Sequence, residues 1–397
     1  MTEFARTAAV SESITLAVAD RVRALEKAGR LIVKLQTGDP DFATPAAVVE
    51  AAGRAMREGH THYANTRGLP ELRECISAKL ARDSGVSYDP QSEILVTHGG
   101  AHAIFCALLT LVSPGDEVIL PDPSWMPYGA ATQMAGGRPV RVALDPDSGF
   151  LPDVDRIRAA ITPRTRVIVV NTPANPTGRV WTAAMLKTLE SALDGSRIWV
   201  LADEVYERLV YDGSKHISPA SIAGLRDRTV TVNSFSKTYA MTGWRLGYLA
   251  APPSVASEVL KCSQYSITNV APFVQRAGVV AMTDVSVSRD VDGMVAKYVS
   301  RRSRILERLS GQDAVGFTSP DGAFYVMLDF RRLAQRATEL VAQLLDDASV
   351  ALVPGSGFGE CASGFARMTF AAADADIDEG LGRIIEFAQR HAGAGRS

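Results

Sequence analysis

Between about residues 90 and 260, short runs rich in β-branched residues alternate with helical stretches: EILVT, DEVILP, PVRVAL, RVIVVNTP, RIWVLADE, TVTVNSFS and RLGYLAAP. Nothing else in the chain restricts its fold as strongly. Strand-sized runs without a polar face need cover on both sides, and helices between consecutive strands provide it. The pattern therefore predicts an α/β fold with a mostly parallel sheet sandwiched by helices. Several runs end in polar or Gly/Pro punctuation: THGGA, PDPSW, NTPANPTG, DEVY and NSFSK. In open α/β sheets the carboxyl ends of the strands line the ligand crevice, so chemistry is expected in these loops.

A different texture begins near residue 285, where the basic helical stretch VAKYVSRRSRILERL leads to GAFYVMLDF, a long helix around 335–347, VALVPGSGF and ARMTFA. This predicts a smaller α+β domain. The segment 14–37, helical and then LIVKLQTGD, is too isolated to fold alone and is expected to pack on that C-terminal part. The resulting division is 1–45 as an N-terminal arm and part of the small domain, 46–284 as the large domain, and 285–397 as the rest of the small domain. Arg301, Arg302 and Arg304 read as a solvated helix face, and only the tail AGAGRS reads as loose.

With 397 residues, 46% of them apolar, the chain can bury a large core. Its 42 basic and 44 acidic side chains leave a formal charge of -2, and no basic stripe follows a phosphate backbone, so nucleic acid is not an expected partner. The N-terminus carries Glu3, Glu12 and only the short apolar run ITLAVA, which fits neither a secretory signal nor a transit peptide. The longest apolar run, AIFCALLTLV at 103–112, is too short to span a membrane. A cytoplasmic enzyme is expected. Cys75, Cys106, Cys262 and Cys361 lack any Cys-x-x-Cys spacing, which argues against a disulfide framework and a thiolate metal site. His98 and His102 are four apart, but Gly99 stands where a metalloprotease helix would carry its glutamate, so no metal is expected there.

One lysine stands out. Lys237 lies in NSFSKTYAMTGWRLGY, at the end of an apolar run. A lone lysine at a strand end is by default a solvated charge. Here Ser234, Ser236 and Arg245 offer the donors a phosphate needs, and a guanidinium can bind phosphate through two parallel hydrogen bonds. A lysine that forms a Schiff base must lose its proton near neutral pH, which desolvation and nearby cations promote. The combination suits a phosphorylated aldehyde, and pyridoxal phosphate is the candidate. Its ring nitrogen must stay protonated to make the ring an electron sink, so a carboxylate should face it. Asp203 in LADEVYERLVY meets that need, with Tyr206 close behind, although an isolated Asp-Glu pair is more often a helix cap or solvated acid. THGGAHAIF places two glycines before a helix start, where amides and dipole favour an anion. Trp125 in PDPSWMPY can stack on a ring, or simply pack.

These residues carry a family resemblance. HYANTRGLPELR, NTPANPTGRV, LADEVYERL, NSFSKTYAMTGWRLGY and SPDGAFYVMLDF, in order over about residues 14–390, resemble the class I aminotransferases of pyridoxal-phosphate fold type I, in the branch that includes bacterial aspartate aminotransferases. The resemblance implies that Lys237 holds the cofactor as an internal aldimine and that Asp203 faces the pyridine nitrogen. It makes Tyr206 and Asn175 donors to the ring oxygen and Trp125 the stacking aromatic. Gly100 and Ala101, through backbone amides, would join Ser234, Ser236 and Arg245 in a phosphate cup. Arg367 in ARMTF would clamp the substrate's α-carboxylate, helped by Gly38 in TGDPDF and by Asn175. Tyr63 in HYANTRG would reach the phosphate of a neighbouring subunit, implying a homodimer.

The implied reaction is amino transfer between an L-amino acid and a 2-oxo acid in ping-pong fashion, with Lys237 as the general base. The same scaffold also runs β- or γ-elimination, replacement and oxidation, which stay open as alternatives. A regulatory protein without turnover is disfavoured, because lysine, acid and arginine are all present. Aspartate-specific members often carry a lysine straight after the Gly-Gly pair, where this chain has Ala101. The lysine near the N-terminal arm of prephenate-accepting members is replaced around SES at 11–13. Aspartate and prephenate are therefore not the first expectation; aromatic and other less acidic donors remain open, with His102 or Tyr265 as candidates to touch the side chain.

Overall fold

A computed structural model describes residues 7–8, 10–333 and 336–394; the end of the tail AGAGRS lies outside the described residues. Helix α1 (Ile14–Lys27) and the short strand β1 (Val33–Lys34) come first, followed by α2 (Ala46–Arg57) and α3 (Pro70–Ser84). The seven β-branched runs form β2 (Ile94–Thr97), β3 (Glu117–Asp122), β4 (Arg138–Ala143), β5 (Thr165–Asn171), β6 (Trp199–Asp203), β7 (Thr229–Ser234) and β8 (Gly247–Ala250). Between them lie α4 (Gly99–Leu111), α5 (Pro127–Met134), α6 (Val154–Ala159), α7 (Ala183–Ala192) and the single turn α8 (Phe235–Thr238). These strands make one sheet in the order β2-β8-β7-β6-β5-β3-β4, and only β8 runs antiparallel to its neighbours. The fold is α/β, with a mostly parallel sheet sandwiched by helices.

Both faces of this sheet are covered, which is why its strands read as unbroken apolar runs. Along β5, Val167 and Val169 pack with Leu108 and Leu201, while Ile168 and Val170 turn to the opposite face and pack with Leu186 and Val200.

After α9 (Pro253–Ser266) and α10 (Pro272–Thr283), the long α11 (Val285–Ser310) starts on Asp284, whose carboxylate accepts from the Ser286 amide. Strands β9 (Gly316–Thr318) and β10 (Tyr325–Asp329), helix α12 (Ala337–Asp347), strands β11 (Val350–Ala351), β12 (Val353–Pro354) and β13 (Phe365–Thr369), and helix α13 (Asp374–Ala394) complete the chain. A four-stranded antiparallel sheet runs β12-β13-β10-β9, and β1 pairs in parallel with β11. That pairing ties the early segment to the C-terminal part, with Val22 of α1 packing on Leu345 and Ala351.

The basic stretch of α11 departs from its expectation as a solvated face. Arg301 and Arg302 are buried. Arg301 forks onto both carboxylate oxygens of Asp41 at 2.7 Å and reaches Asp374 at 2.8 Å. Arg302 donates to the Pro320 carbonyl at 2.7 Å and pairs with Asp212. A one-dimensional charge pattern cannot show carboxylates brought to the helix from 73 and 260 residues away. Arg304, paired with Asp378, stays near the surface. Among the described residues no helix is long and apolar enough to cross a membrane.

Candidate active site

The sheet register aligns the strand ends that carry polar residues. Asn171 stands opposite Asp203, Asp203 opposite Val232, and Thr97 and Ser234 flank Gly247. Because β8 is antiparallel, it begins where its neighbours end, so Arg245 joins the same edge. A cavity of about 490 Å³ opens there, within the range of roughly 300–1,000 Å³ usual for small-molecule sites. Tyr325, Arg367, Gly38 and Asp39 close it from the side of the small sheet.

Of the sequence-predicted residues, Gly38, Gly100, Ala101, Trp125, Asn175, Asp203, Tyr206, Ser234, Ser236, Lys237, Arg245 and Arg367 all line this one cavity. Tyr63 does not; it is 88% exposed on the outer surface. His102 and Tyr265 are also outside the lining: His102 shares a hydrogen bond with Ser266 at 2.9 Å, and Tyr265 stands in solvent.

Lys237 sits on α8, the turn that follows β7, and its ammonium donates to the Gly38 carbonyl. Burial, helped by the charges of Arg367 and Arg245, pulls its pKa down to about 8, against the opposing pull of Asp39 and Asp203. Asp203 is buried at the end of β6. Burial pushes its carboxyl up to about 6, although the Tyr128 hydroxyl donates to it at 2.5 Å and the Val205 amide at 3.3 Å, both favouring the ionised form. Tyr206 shares a hydrogen bond with Tyr325 at 2.8 Å, and burial holds its hydroxyl protonated.

An anion cup forms where α4 begins. Gly99 takes a left-handed φ of +76°, and a Cβ there would lie 2.6 Å from the Arg245 guanidinium, so glycine allows the arginine to close over the helix start. Beside it, the Ser234 hydroxyl donates to that of Ser236 at 2.8 Å, and Arg245 anchors to the Thr242 carbonyl at 2.7 Å. Free first-turn amides, two hydroxyls and a guanidinium converge on one spot.

Arg367, in the middle of β13, is buried. It donates to the Asn175 side-chain oxygen at 2.9 Å and the Gln36 carbonyl at 2.8 Å, between the rings of Tyr325 and Phe358 at 4.3 and 4.8 Å. Its Nε has no partner, and among the described residues no carboxylate pairs with it. Burial lowers its pKa. An uncompensated buried cation facing a cavity is a receptor for an anion.

Sequence reasoning missed Tyr128, Tyr325, Asn171 and Asp39, all of which line the cavity. Tyr128 carried a signal, since it lies three residues after Trp125 in the turn that opens α5, where its amide donates to the Trp125 carbonyl at 3.2 Å; their rings meet edge to face at 5.3 Å. It also missed a buried network behind Asp203. Glu204 accepts from Ser218 at 2.6 Å and meets His216 at 2.8 Å, while Glu207 pairs with the buried Lys79. Glu204, Glu207 and His216 present ligand atoms within 4.8 Å of one another, but Lys79 already brings a cation to this cluster.

Comparison with known proteins places this geometry in context. A family model described as aminotransferase class I and II matches residues 30–384. An aspartate aminotransferase of Geobacillus stearothermophilus is 37% identical over 98% of this chain and 99% of its own. Aromatic-amino-acid aminotransferase 2 of Thermococcus litoralis is 36% identical over 89% of this chain and 90% of its own. Among solved structures, an aspartate aminotransferase from Thermus thermophilus with maleate superposes with a TM-score of 0.92 at 38% identity, covering 98% of this chain and all of that one.

Proposed function

The chain belongs to the class I and II aminotransferases, and from that premise we propose how its own residues carry out amino transfer. It is a pyridoxal-phosphate-dependent aminotransferase, moving an amino group between an amino acid and a 2-oxo acid. When bound, pyridoxal phosphate supplies an aldehyde carbon that accepts amines and a protonated ring that draws off the electron pair left at the substrate's Cα.

The donor set fits that group. The amides of Gly100 and Ala101, the hydroxyls of Ser234 and Ser236, and Arg245 hold its phosphate in the anion cup. Asp203, steadied by Tyr128, would keep the ring nitrogen protonated, Trp125 would stack on the ring, and Tyr206 and Asn175 would donate to its oxygen. Lys237 would anchor the cofactor through its side-chain nitrogen, and the same amine, when free and neutral, would act as the general base toward the substrate's Cα proton. Its pKa of about 8 leaves a useful fraction neutral near pH 7, which supports both roles. Arg367, with Gly38 and Asn175, clamps the α-carboxylate and so fixes which Cα bond stands across the ring.

We further propose a cytoplasmic homodimer in which the exposed Tyr63 reaches the neighbouring phosphate. In it, residues 46–284 form the cofactor-binding domain and 1–45 and 285–397 the small domain; the pairing of β1 with β11 supports that grouping.

The observation that carries the assignment of roles is the buried, unpaired Arg367 on the same cavity as a lysine with a depressed pKa. The test has two parts. Borohydride reduction of the holoenzyme followed by peptide mapping should put the pyridoxyl tag on Lys237. Separately, unreduced holoenzyme given an excess of a single amino acid should release one 2-oxo acid per site without ammonia. A tag elsewhere would refute the role of Lys237, and ammonia release without a second substrate would point to elimination instead.

A further inference from the structure

Resting on the aminotransferase reading above, we propose that the preferred amino donor has a neutral, apolar side chain rather than a second carboxylate. The charges around the cavity carry the argument. Among the described lining residues the cations are Lys237, Arg245 and Arg367. Each is committed: Lys237 to the reacting carbon, Arg245 to the phosphate, and Arg367 to the α-carboxylate. No lining cation is left for a second carboxylate. What is left over is negative, because Asp39 also lines the cavity, held by the Thr242 hydroxyl at 2.6 Å.

The remaining wall is largely hydrocarbon. Leu16 of α1, Ala101 and Ile104 of α4, and Met126 beside Trp125 line it, with only the neutral hydroxyls of Ser13, Thr15 and Thr37 added to the groups already named or committed. Leu16 is 64% exposed, an apolar side chain at the cavity mouth that a ligand's own hydrocarbon would cover. A dicarboxylate would thus bring a charge into contact with apolar groups and an acid, and an unpaired buried charge is expensive. At roughly 2 kcal/mol or more, such a penalty amounts to at least about a 30-fold preference.

The test uses the purified holoenzyme. Half-reaction kcat/KM values for L-phenylalanine, L-leucine and L-methionine should exceed those for L-aspartate and L-glutamate by at least about 30-fold. Binding of unreactive acids, followed by calorimetry, should agree, with 3-phenylpropionate binding at least about tenfold more tightly than maleate. Ala101→Lys, which adds a cation to the wall, should shift the ratio toward L-aspartate by at least about tenfold.

L-Aspartate or L-glutamate matching the neutral donors in the wild type would overturn the inference, because a cation from elsewhere, such as a second copy of the chain, would then meet the second carboxylate. Tighter binding of maleate would overturn it as well, as would an unmoved ratio in a folded, cofactor-loaded Ala101→Lys. If no amino acid of either kind releases an oxo acid, the aminotransferase reading itself fails, an outcome distinct from a reversed order of donors.

Discussion

Tyr128→Phe tests whether the cavity tunes Asp203 or merely houses it. The Tyr128 hydroxyl donates to Asp203 at 2.5 Å in a buried setting, and it favours the ionised form. A hydrogen bond to a charged group contributes about 1.5–3 kcal/mol. At about 1.4 kcal/mol per unit, its loss should raise Asp203 by about one to two units, from about 6 to between about 7 and 8. Asp203 pairs with the protonated ring only when ionised, so cofactor affinity falls as pH drops through its pKa. Near pH 7 the wild-type acid is about nine-tenths ionised, whereas the variant is between about a half and a tenth ionised. Apparent affinity of the apoprotein for pyridoxal phosphate should therefore weaken by about 2–10-fold near pH 7 and converge with wild type by about pH 9. Equilibrium titration of apoprotein by fluorescence quenching across that range reads the effect. A deficit of equal size at both ends would mean lost packing rather than a shifted acid, and would refute the argument.

Three further outcomes follow from the same charges. Burial raises Asp203 from the ordinary 3.8 to about 6, so its contribution favours the fold below about pH 4 and is lost as pH rises through about 6. Near pH 8 the ionised acid then costs on the order of 3 kcal/mol, and apo Asp203→Asn should melt a few degrees above wild type while turnover falls at least about 100-fold; calorimetry showing no gain would count against the buried charge. Lys237, lowered to about 8, gains its reactive neutral form as pH rises through that value, so apoprotein should take up pyridoxal phosphate faster up to about pH 8–9 and then level off. A stopped-flow rate still climbing past about pH 10 would mark an ordinary lysine. Arg367→Ala should lower kcat/KM by about 100-fold or more, the cost of leaving a carboxylate unclamped, while cofactor stays bound; loss of the bound chromophore would show that Arg367 holds the cofactor instead.

Much of this site was legible in the sequence because it is built at strand ends. A strand's apolar run marks its own boundary, so Asp203 closing RIWVLAD and Ser234 closing TVTVNS could be placed at one sheet edge without coordinates. Parallel pairing then brings them together, as Asp203 stands level with Val232 and Ser234 follows two residues later. Arg245 was legible because β8 starts right behind it. Tyr325 was not, since it lies inside a strand of the small sheet, where an inward-facing tyrosine looks like any core residue. Arg301 was misread for the converse reason. Its partners, Asp41 and Asp374, come from distant segments, and helical spacing shows only that arginines recur.

Several buried charges of the scaffold are compensated by the fold itself. Arg301 has Asp41 and Asp374, Lys79 has Glu207, and the buried Glu117 has Arg138 and Arg164. In each case the fold brings the opposite charge to the desolvated one, as it must if the pair is to be tolerated. Arg73, buried on α3 outside the cavity, rests on the Gly68 and Pro90 carbonyls instead; Arg367 and Lys237 likewise lack a carboxylate partner, but both stand on the cavity wall. Arg367 rests on amide and carbonyl oxygens and on two ring faces, and Lys237 on a backbone carbonyl; among the described residues neither is within ion-pair distance of a carboxylate. Neutral acceptors hold a cation in place without cancelling its charge, so the field stays available to an anion that arrives later. The unpaired nitrogen of Arg367 has the same meaning, a donor left open where the chain could have supplied an acceptor. Stability foregone at these two residues is what the proposed recognition of cofactor and substrate would draw on.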